Sequence, residues 1–161
     1  NCVNQNVKDY FFLNDSIGLK LPVEWKNIDS KMVYSRALIL NRIITNDSNT
    51  CFVIITVNDY GVYPNISIKE EDFFSMLKGK MEELRDGKDS LIENVFKEIN
   101  GHKVNFLKYR KTGNKNKMYD AHIGFILPKI KQVEIQIRLT ETNYDEAQNI
   151  LDCIFESLQI K

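Results

Sequence analysis

A strict two-residue alternation near the C-terminal end limits what this chain can fold into more than any other feature. From residue 132 to residue 139, polar residues alternate with Val133, Ile135, Ile137 and Leu139. Successive side chains of a β-strand point to opposite faces, so this segment would bury one face and leave the other polar. Such alternation is typical of antiparallel sheets, since strands of parallel sheets are apolar on both faces. The sequence therefore predicts an antiparallel sheet.

Turn signals between neighbouring segments extend this strand into a four-stranded meander. The pair Asn100 and Gly101 suits a two-residue type I′ turn. Residues 111–117 and 128–131 mark two further hairpin connections. With three earlier segments, the predicted strands are Ile17–Leu21, Tyr34–Leu40, Cys51–Val57, Leu91–Ile99, Lys103–Arg110, Tyr119–Leu127 and Gln132–Thr140.

Two amphipathic helices complete the predicted element order. The first begins near Ser67, which has a capping-box partner in Glu70, and ends near Gly87. The second begins at Asn143. Their apolar stripes are Phe73, Phe74, Leu77, Met81 and Leu84 in the first helix, and Tyr144, Ala147, Leu151, Ile154, Phe155 and Leu158 in the second. The predicted fold class is therefore α+β, an α/β sandwich with a central antiparallel sheet of about six to seven strands, in the order βββ-α-ββββ-α, flanked by helices.

Length and charge favour one globular domain without a strongly charged partner. The 161 residues suit a single domain, with residues 1–10 as a polar N-terminal leader and residues 11–161 as the domain. Because 22 basic side chains balance 22 acidic ones, overall charge does not favour binding to nucleic acid or to an anionic membrane. We expect no nucleic-acid partner.

Pro22 and Trp25 follow the first predicted strand and raise an architectural question. Proline cannot continue a strand ladder, so the chain is expected to leave the sheet at Pro22. Trp25 could then fold back across the end of the core and bury a large apolar area. The alternative interpretation makes Trp25 an exposed anchor for a ligand or partner.

Three segments resemble the PsbP-like family, which includes the photosystem oxygen-evolving subunit, the Ran-binding import factor and related bacterial envelope proteins and secretion chaperones. "FFLNDSIGLKLPVEWK" is similar to the opening strand of the family with its Pro and Trp, and "INGHKVNFLKYR" to its internal hairpin. "AQNILDCIFESLQIK" resembles its closing helix. The resemblance covers the chain from Phe11 onward. It implies the sandwich fold and action by protein contact, but it identifies no partner.

The three cysteines form neither a disulfide framework nor a zinc site by their spacing. Cys2 heads the polar leader, as in the lipid-modified leader of a bacterial lipoprotein, so it is a candidate lipid attachment site; a stray thiol in a tail is the alternative. Cys51 precedes a strand, and Cys153 is expected to lie roughly opposite the apolar stripe of the second helix. At most one bridge could form.

No signature of catalysis, metal binding or cofactor binding occurs in the sequence. Asp120 and His122 are predicted to share a strand face, and we expect a polar pair on the outer face of the sheet rather than an acid–base pair. A basic run, Lys108, Arg110, Lys111, Lys115 and Lys117, is interpreted as a solvated hairpin tip, with a phosphate or acidic protein surface as the alternative.

Tyr60 and Tyr63 are the candidate partner-binding residues, since they lie in a loop with Gly and Pro, and rigid amphipathic side chains suit contact surfaces. The predicted function is a non-enzymatic binding or scaffolding domain of unknown partner, with no cofactor. Its predicted place is the bacterial cell envelope, and it would meet the membrane only through a lipid anchor at Cys2. The alternatives are a small-ligand carrier or sensor, and a cytoplasmic chaperone for secreted effectors.

Overall fold

The computed structural model describes residues 6–28, 38–48, 50–60, 67–83, 90–112, 117–129, 131–141 and 144–161. The strands are β1 (Val7–Phe12), β2 (Ile17–Pro22), β3 (Lys26–Ile28), β4 (Leu38–Thr45), β5 (Phe52–Asp59), β6 (Ser90–Ile99), β7 (His102–Thr112), β8 (Lys117–Leu127), β9 (Lys131–Glu141) and β10 (Gln159–Ile160). The helices are α1 (Glu70–Glu83) and α2 (Tyr144–Ser157). Within the described part of the chain, neither helix is long and apolar enough to cross a bilayer.

The described strands form two antiparallel sheets. Seven strands form the large sheet in the order β3-β4-β5-β9-β8-β7-β6, and three strands form a small sheet in the order β1-β2-β10. The predicted α+β class, with a central antiparallel sheet and flanking helices, is confirmed. The first predicted strand, Ile17–Leu21, belongs to the small sheet and not to the central one.

The main core lies between one face of the large sheet and a layer made of α2 and the small sheet. The alternating side chains of β9 that predicted the sheet are all fully buried in this core. The rings of Phe106 on β7 and Phe155 on α2 have centroids 5.0 Å apart. The amide of Lys20 on β2 donates to Ser157 Oγ at the end of α2, at 2.9 Å. This bond joins the small sheet to the helix.

Helix α1 packs on the opposite face of the large sheet. There Leu77 forms a buried cluster with Leu107 and Tyr109 of β7. Gly124 of β8 makes the close approach of α1 possible, because an added Cβ would meet the side chain of Leu77 and would come within 3.2 Å of Phe73. Any larger residue at position 124 would force the helix or these side chains to move.

Trp25 is buried, with 3% of its surface exposed, so the packing interpretation is confirmed and the exposed anchor is wrong. The backbone N–H of Trp25 donates to the carbonyl of Pro22 at 3.1 Å. The hydroxyl of Tyr10 on β1 donates to the carbonyl of Trp25 at 2.6 Å. The turn after Pro22 therefore returns the indole to the core.

The predicted turn at Asn100 and Gly101 is also confirmed. Both residues have positive φ angles, 49° and 78°, as a type I′ turn between β6 and β7 requires. The Asn100 side chain also donates to the carbonyl of Ile160 at 2.9 Å, which links the hairpin to the C-terminal strand.

The structure differs from the predicted elements at several strands. Strand β1 begins at Val7, inside the predicted leader, although the domain boundary itself stays a prediction. Where Tyr34–Leu40 was predicted, the described strand is Leu38–Thr45, and residues 34–37 lie outside the described residues. Strands β3 and β10 were not predicted because they are too short to show a period. Cys153, predicted to lie roughly opposite the apolar stripe of α2, is buried and disulfide-bonded.

Candidate functional site

Among the described strands, β6 lies at the edge of the large sheet and pairs with β7 alone. Its residues Asn94, Phe96, Lys97 and Glu98 are all exposed in the folded chain. An edge strand leaves one row of backbone N–H and C=O groups without a strand partner, which makes it a template for pairing with another chain. With respect to the described segments, the outer edge of this sheet is therefore open between residues 94 and 98.

Phe96 is the apolar feature of this edge, with 46% of its surface exposed. Its ring packs edge-to-face against Phe74 of α1, with centroids 5.2 Å apart and an interplanar angle of 76°. Phe74 is itself buried, so it holds one side of the Phe96 ring in place. A large exposed ring fixed in one orientation is characteristic of contact surfaces.

Lys103 of β7 holds its ammonium over both rings. Its Nζ lies 4.8 Å from the centroid of Phe96 and 5.6 Å from that of Phe74. Lys103 is directly opposite Glu98 in the β6–β7 register, yet it forms no ion pair with any described residue. The cation is thus held by the rings, which contributes about 0.5–1 kcal/mol at an exposed site.

A cavity of about 190 Å³ lies between α1 and these strands. It is lined by Glu71, Phe74 and Lys78 of α1, Asn94 and Phe96 of β6, and Lys103 of β7, and we call it the β6 groove. Drug-sized ligands occupy pockets of about 300–1,000 Å³, so the β6 groove is too small for them. Its volume suits a single amino-acid side chain.

The inner wall of the β6 groove is polar and satisfied. The side-chain amide of Asn105, a buried residue of β7, donates to Asn94 Oδ1 at 2.9 Å. The same amide lies 3.4 Å from the carbonyl of Val95. These bonds fix Asn94 beside Phe96, so the strand side of the groove is preorganised.

Asp120 and His122 lie on the α1 face of β8, as their register with Gly124 requires. Both are buried, with 6% and 2% of their surfaces exposed, so the predicted outer-face polar pair is wrong. Each pairs with β9 rather than with the other. Arg138 donates to both carboxylate oxygens of Asp120, at 2.9 and 3.2 Å. His122 Nδ1 is 3.2 Å from Glu134 Oε1, without the alignment of a hydrogen bond.

The contact between Asp120 and Arg138 is a structural ion pair. The hydrogen bond that Arg138 donates to Asp120 raises the pKa of the Arg138 guanidinium above its ordinary value, against the opposing effect of burial. A group whose pKa is higher in the folded chain than in the unfolded chain stabilises the fold. This stabilisation is complete below the pKa of the unfolded chain and is lost only as the pH rises through the pKa of the folded chain. That range is strongly alkaline, so the pair is intact near neutral pH. In the described part of the chain, no cluster of His, Cys, Asp and Glu could hold a metal ion.

Of the predicted partner-binding residues, Tyr60 is not among those that line the β6 groove. It is half-buried just after β5, and Tyr63 lies outside the described residues, so their partner contact stays a prediction. Cys2 also lies outside the described residues. Cys51 is buried, with its sulfur 3.4 Å from the carbonyl of Thr140, whereas Cys153 is disulfide-bonded.

The basic run is only partly a solvated tip. Lys108 is buried and pairs with Glu93 at 3.2 Å, so its predicted exposure is wrong. Arg110 is exposed and donates to the hydroxyl of Tyr119 at 3.1 Å. Lys115 lies outside the described residues. The run therefore includes two members that hold neighbouring strands together.

Sequence reasoning missed Phe96 as a site residue, although it correctly predicted the strand that contains it. The signal was present, since Asn94, Phe96 and Glu98 share a strand face on which an apolar ring stands between two polar residues. What the sequence does not show is that β6 has no second neighbour among the strands that the structure describes. Edge position is a property of the whole topology.

Several solved structures share this fold. Cyanobacterial PsbP (CyanoP) from Synechocystis sp. PCC 6803 has a TM-score of 0.66 at 13% identity, covering 100% of this chain and 96% of that chain. The Saccharomyces cerevisiae Ran-binding protein Mog1p has a TM-score of 0.58 at 11% identity, covering 98% and 96%. LpqN of Mycobacterium tuberculosis, involved in cell envelope biogenesis, has a TM-score of 0.55 at 16% identity, covering 96% and 90%.

The resemblance to PsbP-like proteins is thus confirmed as a likeness of fold over essentially the whole chain. No family model matches the sequence, and no curated protein matches it. Because the same fold carries many unrelated functions, the function has to be argued from the surface of this chain.

Proposed function

We propose that this chain is a non-enzymatic protein-binding domain and that the β6 groove is its contact surface. The observation that carries the proposal is Phe96, a large ring with 46% of its surface exposed, beside a cavity of about 190 Å³ on an open sheet edge. An isolated exposed apolar residue needs no explanation, but one that borders a preorganised cavity does. Contact surfaces are built from such rigid aromatic anchors.

The fold analogues support a binding role without specifying it. One of them is called a Ran-binding protein and another is involved in cell envelope biogenesis. Their identities of 11% and 16% support only the general idea that this fold presents binding surfaces. The size of the β6 groove argues against the small-ligand carrier in this cavity.

Peptide selection against the purified chain tests the proposal. We expect a random peptide library to yield binders whose affinity falls at least about tenfold, equivalent to 1.4 kcal/mol, in the variant Phe96→Ser. Ile28→Ser is the matched control, because Ile28 on the opposite edge strand β3 also has 46% of its surface exposed. The proposal is wrong if no peptide is enriched, or if both variants bind the selected peptides as well as the original chain.

We also propose that the domain works in the bacterial cell envelope. The disulfide bond of Cys153 supports this location, because such bonds persist in oxidising compartments and are rare in the cytoplasm. The same bond argues against the alternative of a cytoplasmic chaperone for secreted effectors. Lipid attachment at Cys2 is a further step that stays a prediction.

Mass spectrometry of the native protein under non-reducing conditions separates these possibilities. A diacylglyceryl mass on Cys2 supports the anchor, and an unmodified Cys2 removes it. A native Cys153 thiol removes the support for the envelope.

A further inference from the structure

We propose that β6 binds an extended peptide segment of a partner protein by strand addition, with an aromatic side chain of the peptide in the β6 groove and a basic side chain beside Glu98. This inference rests on the proposed binding function and names the chemistry of the partner. It follows from the edge, the volume of the cavity and the charges around it, which are argued in turn.

The edge is regular where the peptide would pair. The β6–β7 register runs without interruption from Glu93 to Ile99, and the irregularity between Leu91 and Glu93 lies beyond the groove. Asn94, Phe96, Lys97 and Glu98 are exposed, so none of the described segments covers this stretch. Among the described residues, an added strand therefore has a regular, accessible template.

The alternation of β6 determines which peptide side chains reach the groove. Asn94, Phe96 and Glu98 are on the α1 face, since they are paired with Leu107, Asn105 and Lys103 of β7. Every second side chain of an added strand would lie on that same face. A residue opposite Phe96 thus lies at the mouth of the groove, and the residue two positions away lies opposite Glu98.

The cavity and its rings select the first of these residues. A volume of about 190 Å³ accepts one large side chain. Its apolar wall is the edge-to-face pair of Phe74 and Phe96, and a third ring can extend that packing. We therefore assign an aromatic residue to the position opposite Phe96.

The charges that are left without a counter-ion select the second residue. Lys78 pairs with Glu82 at 4.0 Å, and Lys103 lies over the two rings. Glu71, Glu98 and Lys103 form no ion pair with any described residue, so two of the three unpaired charges beside the groove are negative. Opposite charges directly across two strands attract, so the partner residue beside Glu98 is basic.

A set of short alternating peptides tests the proposal by NMR titration of the full chain. The parent peptide has Val and Thr at most positions, with Phe and Lys two residues apart. We expect replacement of this Phe by Ala to weaken peptide binding about tenfold or more, as truncation of a buried residue at the centre of an interface does. Replacing Lys by Glu should weaken binding about two- to fivefold, and the chain variant Glu98→Lys should reverse that preference.

Backbone N-methylation separates strand addition from simple contact. Two peptides are compared, one methylated at the odd-numbered backbone amides and the other at the even-numbered ones. Because successive N–H groups of a strand point to opposite edges, only one of these two sets can face β6. Strand addition predicts that one set abolishes binding and the other is tolerated. If both sets bind equally while Phe96 resonances still shift, strand addition is wrong and the groove remains a contact surface.

The remaining outcomes overturn the inference in other ways. If no peptide shifts the resonances of Phe96 or Lys103, both the inference and the proposed function fail. If the chain instead forms concentration-dependent dimers that Phe96→Ser abolishes, the occupant of the edge is a second copy of this chain. If the Glu-containing peptide binds better than the Lys-containing one, the assigned charge is wrong.

Discussion

At the scale of single residues, two aromatic side chains show that large rings occupy both buried and exposed positions in this fold. Trp25 has 3% of its surface exposed and Phe96 has 46%. The first could be predicted as buried, because a proline three residues earlier forces the chain out of the sheet. The second could not be predicted as exposed, because its burial depends on whether another strand follows β6. The environment of a large ring thus depends on the surrounding topology as well as on the local sequence.

Trp25 should be a major source of stability. We expect Trp25→Ala to lower the free energy of unfolding by about 3–5 kcal/mol, the usual cost of truncating a large buried aromatic. Urea denaturation followed by circular dichroism measures this. The exposed residue Ile28 provides the control, since Ile28→Ala should change the free energy of unfolding by no more than about 0.5 kcal/mol. Equal stability of the Trp25 variant and the original chain would contradict the packing account.

At the scale of elements, the sequence predicts long and periodic segments well and short or irregular segments poorly. Strand β9 and its meander neighbours show clear alternation and were predicted within a few residues. Strand β1 was missed because Lys8 and Asp9 interrupt any apolar alternation, although Tyr10 and Phe12 still pack inward. Strands β3 and β10 exist only because longer strands offer them an edge, which no local pattern records.

The contact between α1 and the sheet depends on the absence of a side chain at Gly124. We expect Gly124→Val to lower the free energy of unfolding by about 1–3 kcal/mol, because the added atoms would overlap Leu77 and crowd Phe73. Chemical denaturation measures the loss.

Gly79 of α1 is the matched control for this change. An added Cβ there meets nothing within 4 Å, so Gly79→Ala should raise the free energy of unfolding by about 0.4–1 kcal/mol. Destabilisation by both changes, or by neither, would contradict the assigned packing of α1 on β8.

At the scale of the whole molecule, the fold could be predicted much more fully than the candidate site. Alternation, turn residues and helical stripes predict layers, and the likeness to CyanoP and Mog1p confirms them. The β6 groove combines a helix, an edge strand and its neighbour that are distant in sequence, so only the assembled topology brings Phe74, Phe96 and Lys103 together. Tyr60 and Tyr63 were chosen from a single loop, and their contact with a partner stays a prediction.

The disulfide of Cys153 should stabilise the whole molecule. We expect its reduction to lower the free energy of unfolding by about 2–4 kcal/mol, since cross-links restrict the unfolded chain. Urea curves with and without a reductant measure the difference. The variant Cys153→Ala should be less stable than the oxidised chain and insensitive to the reductant. A reductant that leaves the original chain unchanged would contradict a disulfide at this position.

Amide hydrogen exchange of the chain, free and saturated with a selected peptide, tests the central claim most directly. The account predicts that peptide binding slows exchange in β6 between residues 94 and 98 and at α1, with little change at β3. Protection confined to the segment around Tyr60, or unchanged exchange along β6 in the presence of bound peptide, would contradict a binding surface at this edge.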